Sequence, residues 1–180
     1  MTQKELKIKM YKGLGVTLIH NGQTMLNKAF NVKPQKISKS ELITFLVNLG
    51  FSKDRIYCAD KNYFLVDWET WEDLIEYDWI DQKKYVEDIF DCDNAADSFA
   101  SHMTEIYGLN SAGKAKNIEI LNTMGKHLGY HRANLIVSLN NNVLYARVLE
   151  PMTDKWCLVV KGKEIKIGNW IYKLKNFEFN

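Results

Sequence analysis

The residues whose side chains could most readily take part in a reaction are a cysteine at a predicted helix start and a histidine at the start of a predicted strand. Asp91 is a good N-cap residue, which places Cys92 in the first turn of a helix. The unpaired N–H groups and the helix dipole there stabilise a thiolate, and later an oxyanion. His131 opens an alternating segment, so a strand would hold its ring in place as a base. The alternative for Cys92 is a structural thiol that only packs at the helix start.

The register of a predicted hairpin brings a carboxylate to this histidine. Residues 131–139 and 143–150 are predicted as two strands joined at three asparagines, residues 140–142. A two-residue turn at the first or the second asparagine pair places Glu150 opposite His131 or diagonal to it on the same face. A three-residue turn would place them on opposite faces. A carboxylate beside the ring fixes its tautomer and stabilises the imidazolium, so the sequence predicts a cysteine–histidine–glutamate constellation.

The other histidines are weaker candidates for the base. His102 lies on the same predicted helix as Cys92, about 15 Å further along at the helical rise per residue. His20 precedes a predicted hairpin turn at Asn21-Gly22, and His127 falls in a glycine-flanked loop. We therefore expect His131 to be the partner of the cysteine.

The elements that position these residues indicate an α+β protein. Residues 1–55 are predicted as an N-terminal β-hairpin plus helix extension, and residues 56–180 as the core. Apolar spacing and capping signals predict helices at residues 38–49, 68–79, from Cys92 to about 107, and 118–128. Strands are predicted at residues 63–66, 131–139 and 143–150, with short strands after residue 156 that turn at Gly162 and Gly168.

Composition narrows the class of protein. The chain of 180 residues is 46% hydrophobic and 12% aromatic, which is enough for a substantial core. The net charge of +2 gives no general attraction to nucleic acid or membranes. Cys58, Cys92 and Cys157 are few and widely spaced, so free thiols are expected. No leader and no membrane-spanning apolar run is found, which predicts a cytoplasmic protein with no membrane partner.

Three short motifs resemble a papain-like family of cysteine proteases. The family is named for the C-terminal domain of a mushroom agglutinin and has small bacterial and phage relatives. The resemblance covers residues 63 to about 155. The motifs are Asp91-Cys92-Asp93, Gly129-Tyr-His131-Arg-Ala133-Asn134 and Leu149-Glu150-Pro151-Met152-Thr153.

The resemblance implies a cysteine hydrolase, a protease or amidase acting on a peptide or protein. Cys92 matches the nucleophile, His131 the base and Glu150 the third member of a catalytic triad. The implied fold is a papain-like core, in which the helix bearing the nucleophile packs on an antiparallel sheet. The candidate substrate-binding residues near these motifs are Tyr130, Asn134 and Trp156.

The triad itself needs no cofactor, but the resemblance also implies a possible calcium ion. The best-known member of the family is a calcium-dependent protease. Asp91 and Asp93 would be hard oxygen ligands for such an ion. The alternative is that Asp91 is only an N-cap and Asp93 only a first-turn acid that the helix dipole favours.

Departures from the family pattern leave two other functions open. Tyr130 and Arg132 crowd the histidine motif, Met152 replaces a glutamine, and no glutamine stands a few residues before Cys92 to supply a second oxyanion donor. The first alternative is a weak or inactive binding or structural module on this scaffold. A phage-encoded virion or host-interaction protein would be an example, located in the virion or the host cell. The second is a cell-wall peptidase of the NlpC/P60 or CHAP type.

A nucleic-acid-binding strand surface is a further alternative, although nucleic acid is not expected as a partner. Basic and aromatic residues interleave near the C-terminus and could contact a single strand, but lysines on an edge strand more often prevent aggregation. The oligomeric state is left open by the sequence. The residues of this surface are Lys161, Lys163, Lys166, Lys173 and Lys175, with Trp170 and Tyr172.

Overall fold

The fold is a mixed α+β arrangement, mostly sheet, as expected for the coarse fold class. The structure is a computed structural model that describes residues 29, 30 and 32–179. The predicted hairpin at Asn21-Gly22 lies outside the described residues. Three helices lie wholly within the described part: α1 Lys39–Asn48, α2 Trp68–Tyr77 and α3 Cys92–Tyr107.

The strands form one large sheet and one small one. The strands of the described residues are β1 Gln35–Ser38, β2 Ile56–Cys58, β3 Asn62–Leu65, β4 Ala112–Asn122, β5 His127–Asn140, β6 Val143–Glu150, β7 Lys155–Leu158, β8 Ile165–Ile167, β9 Trp170–Lys173 and β10 Asn176–Phe179. The large sheet has eight strands in the order β2-β10-β4-β5-β6-β7, with β9 pairing with β4 and β8 with β9. The small sheet pairs β1 with β3.

Helix α1 begins at the predicted capping box. The Glu41 N–H donates to Ser38 Oγ at 3.2 Å, and the Ser38 N–H donates to the Glu41 carboxylate at 2.7 Å. These bonds satisfy N–H groups that a helix start otherwise leaves unpaired. Leu42 and Leu46 are fully buried on the inner face, as the apolar spacing predicts.

Helix α2 is capped by Asp67, which accepts a hydrogen bond from the Thr70 N–H at 2.7 Å. Trp68 and Trp71 are buried in the core. The helix ends at Tyr77, two residues before Trp79, which is 42% exposed. The first two tryptophans of this segment are therefore core residues, and Trp79 is a surface residue.

The hydrophobic residues form two clusters, one on each face of the large sheet. One cluster combines α1 with buried residues of β4, β5 and β6. The other combines α2 and α3 with Ile136 of β5 and Leu149 of β6. Because β5 and β6 carry apolar side chains on both faces, these strands lie at the centre of the protein.

The predicted helix at residues 118–128 is wrong. Residues 118–122 belong to β4, and β5 already begins at His127. Ile118 and Ile120 are buried and Glu119 between them is partly exposed, which is the alternation of a strand. Because β4 pairs with β5, β9 and β10, this segment forms a strand and not a helix. The β-branched isoleucines also pack well on the pleated surface of a sheet. His127 is accordingly a strand residue and not a loop residue.

The β5–β6 hairpin has the second of the two predicted registers. Asn140 pairs with Val143, so Asn141 and Asn142 form the turn, with φ values of 50° and 63°. Asparagine tolerates this left-handed conformation, which two-residue hairpin turns require. With this register, Glu150 lies diagonal to His131 on the same face of the sheet.

The predicted extension makes contacts with the predicted core. Strand β1 pairs with β3, and Leu42 and Leu46 of α1 share a cluster with Ala115 and Phe179. The domain division at residue 55 stays a prediction. No helix in the described part of the chain is long and apolar enough to cross a membrane.

Candidate functional site

Cys92 occupies the first turn of α3, as predicted. Asp91 is the N-cap, its carboxylate accepts from the Asp93 N–H at 3.3 Å, and its own N–H donates to Asn94 Oδ1 at 3.4 Å. The Cys92 side chain is free of any disulfide and its residue is partly exposed. The thiol therefore lies where the helix dipole stabilises negative charge.

His131 and Glu150 form an ion pair at the end of the central strands. His131 Nε2 lies 2.8 and 2.9 Å from the two Glu150 carboxylate oxygens. The side chains are only 16% and 11% exposed. Because Nε2–H donates to the carboxylate, Nδ1 is the ring atom that stays available for another group.

The surroundings of His131 favour its charged form. Burial of the ring lowers its pKa, but hydrogen bonds to Cys92 and Glu150 and the negative charges of both groups raise the pKa to about 9. The imidazole is therefore protonated at neutral pH. The structure thus brings Cys92, His131 and Glu150 together from three separate elements.

Arg132 links the start of α3 to the strand that carries His131. Its guanidinium Nη1 lies 3.4 Å from the Asp97 carboxylate and 3.6 Å from the Asp93 carboxylate. Both aspartates are half-exposed, so each pair contributes little to stability on its own. Both contacts join the first turns of α3, which begins at Cys92, to the strand that carries His131.

The three predicted substrate-binding residues lie in different environments. Tyr130 is 69% exposed, and its ring makes a T-shaped contact with the His127 ring, with 5.2 Å between the centroids. Asn134 is fully buried, and its amide donates to the Ala96 carbonyl at 2.9 Å, which holds α3 on the sheet. Ligand contact by these residues stays a prediction, and for Asn134 it would need a rearrangement.

Trp156 lies in a separate aromatic cluster. It is 40% exposed, and its ring meets Trp68 edge-on at 4.8 Å between centroids. The Arg147 guanidinium stacks on Trp68 at 3.9 Å and lies 5.3 Å from the Trp156 ring. Trp156 pairs with Leu149, whose side chain packs on the face of the sheet that α2 and α3 cover. Glu150, the next residue of β6, has its side chain on the opposite face, where it contacts His131.

The two acids beside Cys92 were predicted as calcium ligands. Oxygen atoms of Asp91 and Asp93 lie within 4.8 Å of each other and of the Cys92 sulfur. A hydrogen bond between the two carboxyls lowers the pKa of Asp91 and raises that of Asp93. Two carboxylates are fewer than the roughly six to eight oxygen ligands that calcium takes, and Asp91 is already used as a cap. Calcium binding stays a prediction.

Two features of these regions were missed by sequence reasoning. Tyr172, taken as part of a possible nucleic-acid surface, is only 3% exposed and lies edge-on to His131, with 5.9 Å between ring centroids. Lys175 of the same surface pairs with Glu119. A buried ring and a paired lysine do not form an exposed stacking platform. Neither residue carries a motif in the sequence that would have indicated these contacts.

Comparison with known proteins gives a likeness of fold. No protein-family model and no curated protein matches the chain. A solved complex of PSL1a, a Polyporus squamosus lectin, with E64 matches with a TM-score of 0.54 and 15% identity over 80% of this chain. Polyporus squamosus lectin bound to the epitope Neu5Aca2-6Galb1-4GlcNAc matches with a TM-score of 0.52 and 14% identity over 80% of this chain. The chain spans about half of each lectin chain, 51% and 49%.

These matches correct the predicted family and function. Both matched structures are of lectin chains, so the predicted membership of a papain-like protease family is contradicted. The prediction of a cysteine hydrolase is contradicted by the same finding, and a peptide or protein substrate is not supported. The first alternative, a binding module, fits the matches better.

Proposed function

We propose that this chain is a ligand-binding module, and that a ligand meets it where Cys92, His131 and Glu150 converge. The binding unit in this proposal is the predicted core, residues 56–180, in which α3 packs on a sheet that is antiparallel except for the parallel pair β2 and β10. The observation that carries the proposal is the buried His131–Glu150 pair beside a partly exposed thiol.

A buried ion pair of this kind is costly for stability alone. Removing a carboxylate and an imidazolium from water costs several kcal/mol for each ion, and apolar residues in their place often stabilise a fold as well or better. Strongly shifted pKa values beside an accessible reactive group are more typical of sites that contact ligands. His131 has such a pKa, raised to about 9, and Cys92 beside it is a partly exposed thiol.

The chemistry of the site suits covalent capture of an electrophilic ligand. Cys92 lies at a helix N-terminus and beside the protonated His131 ring, a position typical of cysteines that react with electrophiles. With an epoxide, the thiolate attacks a ring carbon, a carbon–sulfur bond forms, and the carbon–oxygen bond breaks. The released alkoxide takes the proton from His131. The matched complex of PSL1a with E64, which carries an epoxide, supports this ligand class.

Capture without hydrolysis is proposed because a second oxyanion donor is not evident. Residues 83–91, directly before the thiol, contain no asparagine or glutamine. An oxyanion-hole donor contributes about a hundred- to a thousand-fold to turnover, so a site with a single backbone donor binds better than it turns over.

E64 tests the proposal directly. The full chain is incubated with E64 and its intact mass is measured. One adduct is expected for the wild type and for the control variant Cys157→Ala, which removes the other partly exposed thiol. Cys92→Ala should form no adduct. Equal labelling of Cys92→Ala and wild type, or no labelling of either, would overturn the proposal.

A carbohydrate is a second candidate ligand, at the Trp156 cluster. Half-exposed Trp156 and Tyr145 flank Arg147, which lies 5.8 Å from the Tyr145 ring. Aromatic faces cover the apolar faces of sugars, and a guanidinium pairs with carboxylates such as that of a sialic acid. The lectin match, bound to a sialylated epitope, supports this candidate.

Titration with Neu5Aca2-6Galb1-4GlcNAc, followed by tryptophan fluorescence, tests this second candidate. Saturable binding is expected in the wild type, with a loss of about ten-fold or more in affinity for Trp156→Ala, since stacked aromatics carry much of such binding. His131→Ala is the control and should bind normally. Absence of binding, or binding that ignores Trp156, would exclude a sugar site at this cluster.

A further inference from the structure

An exposed apolar surface lies at the end of the large sheet where the β4–β5 and β8–β9 turns are neighbours. Trp170, the first residue of β9, pairs with Asn122, the last residue of β4. The Asn122 N–H donates to the Lys126 carbonyl across the β4–β5 turn at 3.0 Å. Met124 is 87% exposed, Leu128 50% and Trp170 47%. We refer to these three residues as the tip.

The β4–β5 turn is held in one conformation by its own hydrogen bonds. Asn122 Oδ1 accepts from the N–H groups of Met124 at 3.0 Å and Lys126 at 2.9 Å. The Gly125 N–H donates to the Asn122 carbonyl at 2.9 Å, and its φ of 80° is one that glycine adopts without strain. The backbone that carries the Met124 side chain is therefore already ordered, which lowers the entropic cost of binding through it.

The charge around the tip is positive. Residues 120–149 and 165–177 include both turns and contain no aspartate or glutamate. Lys126 is exposed beside Met124 and forms no ion pair among the residues that the structure describes. The acids nearest to the two turns in sequence are each paired with a lysine, so a negatively charged surface can approach the tip without meeting an unpaired carboxylate. These pairs are Glu119 with Lys175 and Glu164 with Lys166.

We propose that the tip docks on the surface of a membrane that carries anionic lipids. The Met124 and Leu128 side chains enter the boundary between the headgroups and the acyl chains. Trp170 lies at the level of the headgroups, where indoles are enriched, and Lys126 pairs with their negative charges. The attachment is peripheral and independent of the proposed ligand at Cys92. The prediction of no membrane partner rests on the net charge and on the length of apolar runs, and neither quantity describes a local cluster of exposed side chains.

The shape of the tip favours a lipid surface over a protein partner. Its side chains project from the end of a sheet, beside two turns, so they form a small convex point. A stable protein interface buries about 800 Å² on each partner with matching shapes, which is more than three partly exposed side chains supply. A bilayer surface adapts to a small apolar insertion, and binding there depends on apolar area and on attraction to anionic lipids.

The test is cosedimentation of the full chain with lipid vesicles. The wild type should bind vesicles with about 30% phosphatidylserine at least about ten-fold more tightly than vesicles of phosphatidylcholine alone. Raising the salt concentration from about 0.1 M to about 0.5 M should weaken this binding, because salt screens the attraction.

Met124→Asp should weaken binding to the anionic vesicles by about ten-fold or more, because it places a charge where an apolar side chain enters the lipid. Met124 is 87% exposed, so the change leaves the core intact. The matched control is Ile89→Asp, which adds the same charge at another apolar residue, 73% exposed and outside the tip. It should bind like the wild type.

Equal binding of Met124→Asp and wild type, or an equal loss in Ile89→Asp, would overturn the inference. Wild type that stays in the supernatant with both kinds of vesicle would overturn it as well. Light scattering without lipid tests the other occupant: a dimer that Met124→Asp dissociates would assign the tip to a second copy of the chain and reject the membrane. E64 labelling of Cys92 does not depend on these outcomes, so ligand capture and membrane docking can fail separately.

Discussion

Replacing His131 by alanine is expected to slow the alkylation of Cys92 by iodoacetamide at pH 6 by about ten-fold or more. The thiolate is the reacting species, and the wild-type site places a protonated imidazole beside the sulfur. Without this positive charge, only the helix N-terminus favours the thiolate. The measurement is the rate of modification of each cysteine, obtained by mass spectrometry of peptides after timed quenching.

The other two cysteines serve as internal controls in the same samples. Cys157 is partly exposed and lies on β7, two strands away from β5, which carries His131, so its rate should not depend on the variant. Cys58 is 3% exposed and should react slowly in both proteins. If Cys92 reacts no faster than Cys157, or reacts equally in wild type and His131→Ala, the thiol and the imidazole do not act together.

Replacing Glu150 by glutamine is expected to lower the pKa of His131 by about one to three units. In the wild type, burial of the ring lowers this pKa, and Glu150 and Cys92 raise it to about 9. Loss of the carboxylate charge leaves burial opposed by Cys92 alone, so more of the imidazole becomes neutral at pH 7. The pKa of His131 falls because the negative charge of the Glu150 carboxylate stabilises the imidazolium, and the neutral amide of glutamine does not.

The measurement is an NMR titration of the His131 ring protons between pH 5 and 10. Glu178→Gln is a suitable control, because Glu178 is also a partly buried, ion-paired carboxylate, but its partners are Lys114 and Lys116. It should leave the His131 titration unchanged. A wild-type pKa near the ordinary value of 6.5, or no shift in Glu150→Gln, would contradict the geometry described for the pair.

The geometry of the candidate site could largely be predicted from local rules. Asp91 indicates the start of α3, because the carboxylate of an N-cap aspartate accepts hydrogen bonds from the unpaired N–H groups of the first turn. The period of two in a strand then restricts Glu150 to the face of His131 for either two-residue turn. The choice between these turns depends on which asparagines adopt positive φ, and three consecutive asparagines give no sequence signal for that.

The parts that escaped prediction depend on contacts between distant segments. Residues 118–122 have helical spacing as well as alternation, and pairing with β5, β9 and β10 selects the strand. Tyr172 reaches His131 only because β9 pairs with β4, and a single tyrosine in a short strand does not reveal this. Trp156 follows a motif in sequence but faces the opposite side of the sheet from Glu150.

The assignment of a reaction failed for a different reason. Three short motifs describe where a thiol, an imidazole and a carboxylate meet, and these groups do meet. Hydrolysis also needs a second oxyanion donor and room for a substrate, neither of which the motifs encode. The same three groups are therefore compatible with binding as well as with hydrolysis.

The most direct test of binding without hydrolysis is a digestion assay with unfolded casein. Purified wild type and Cys92→Ala are incubated with casein, with calcium or with a chelator, and new peptide ends are quantified by mass spectrometry. We predict the same background cleavage for both proteins under both conditions. Cleavage by the wild type that Cys92→Ala abolishes would contradict the account and show that the site is a working hydrolase.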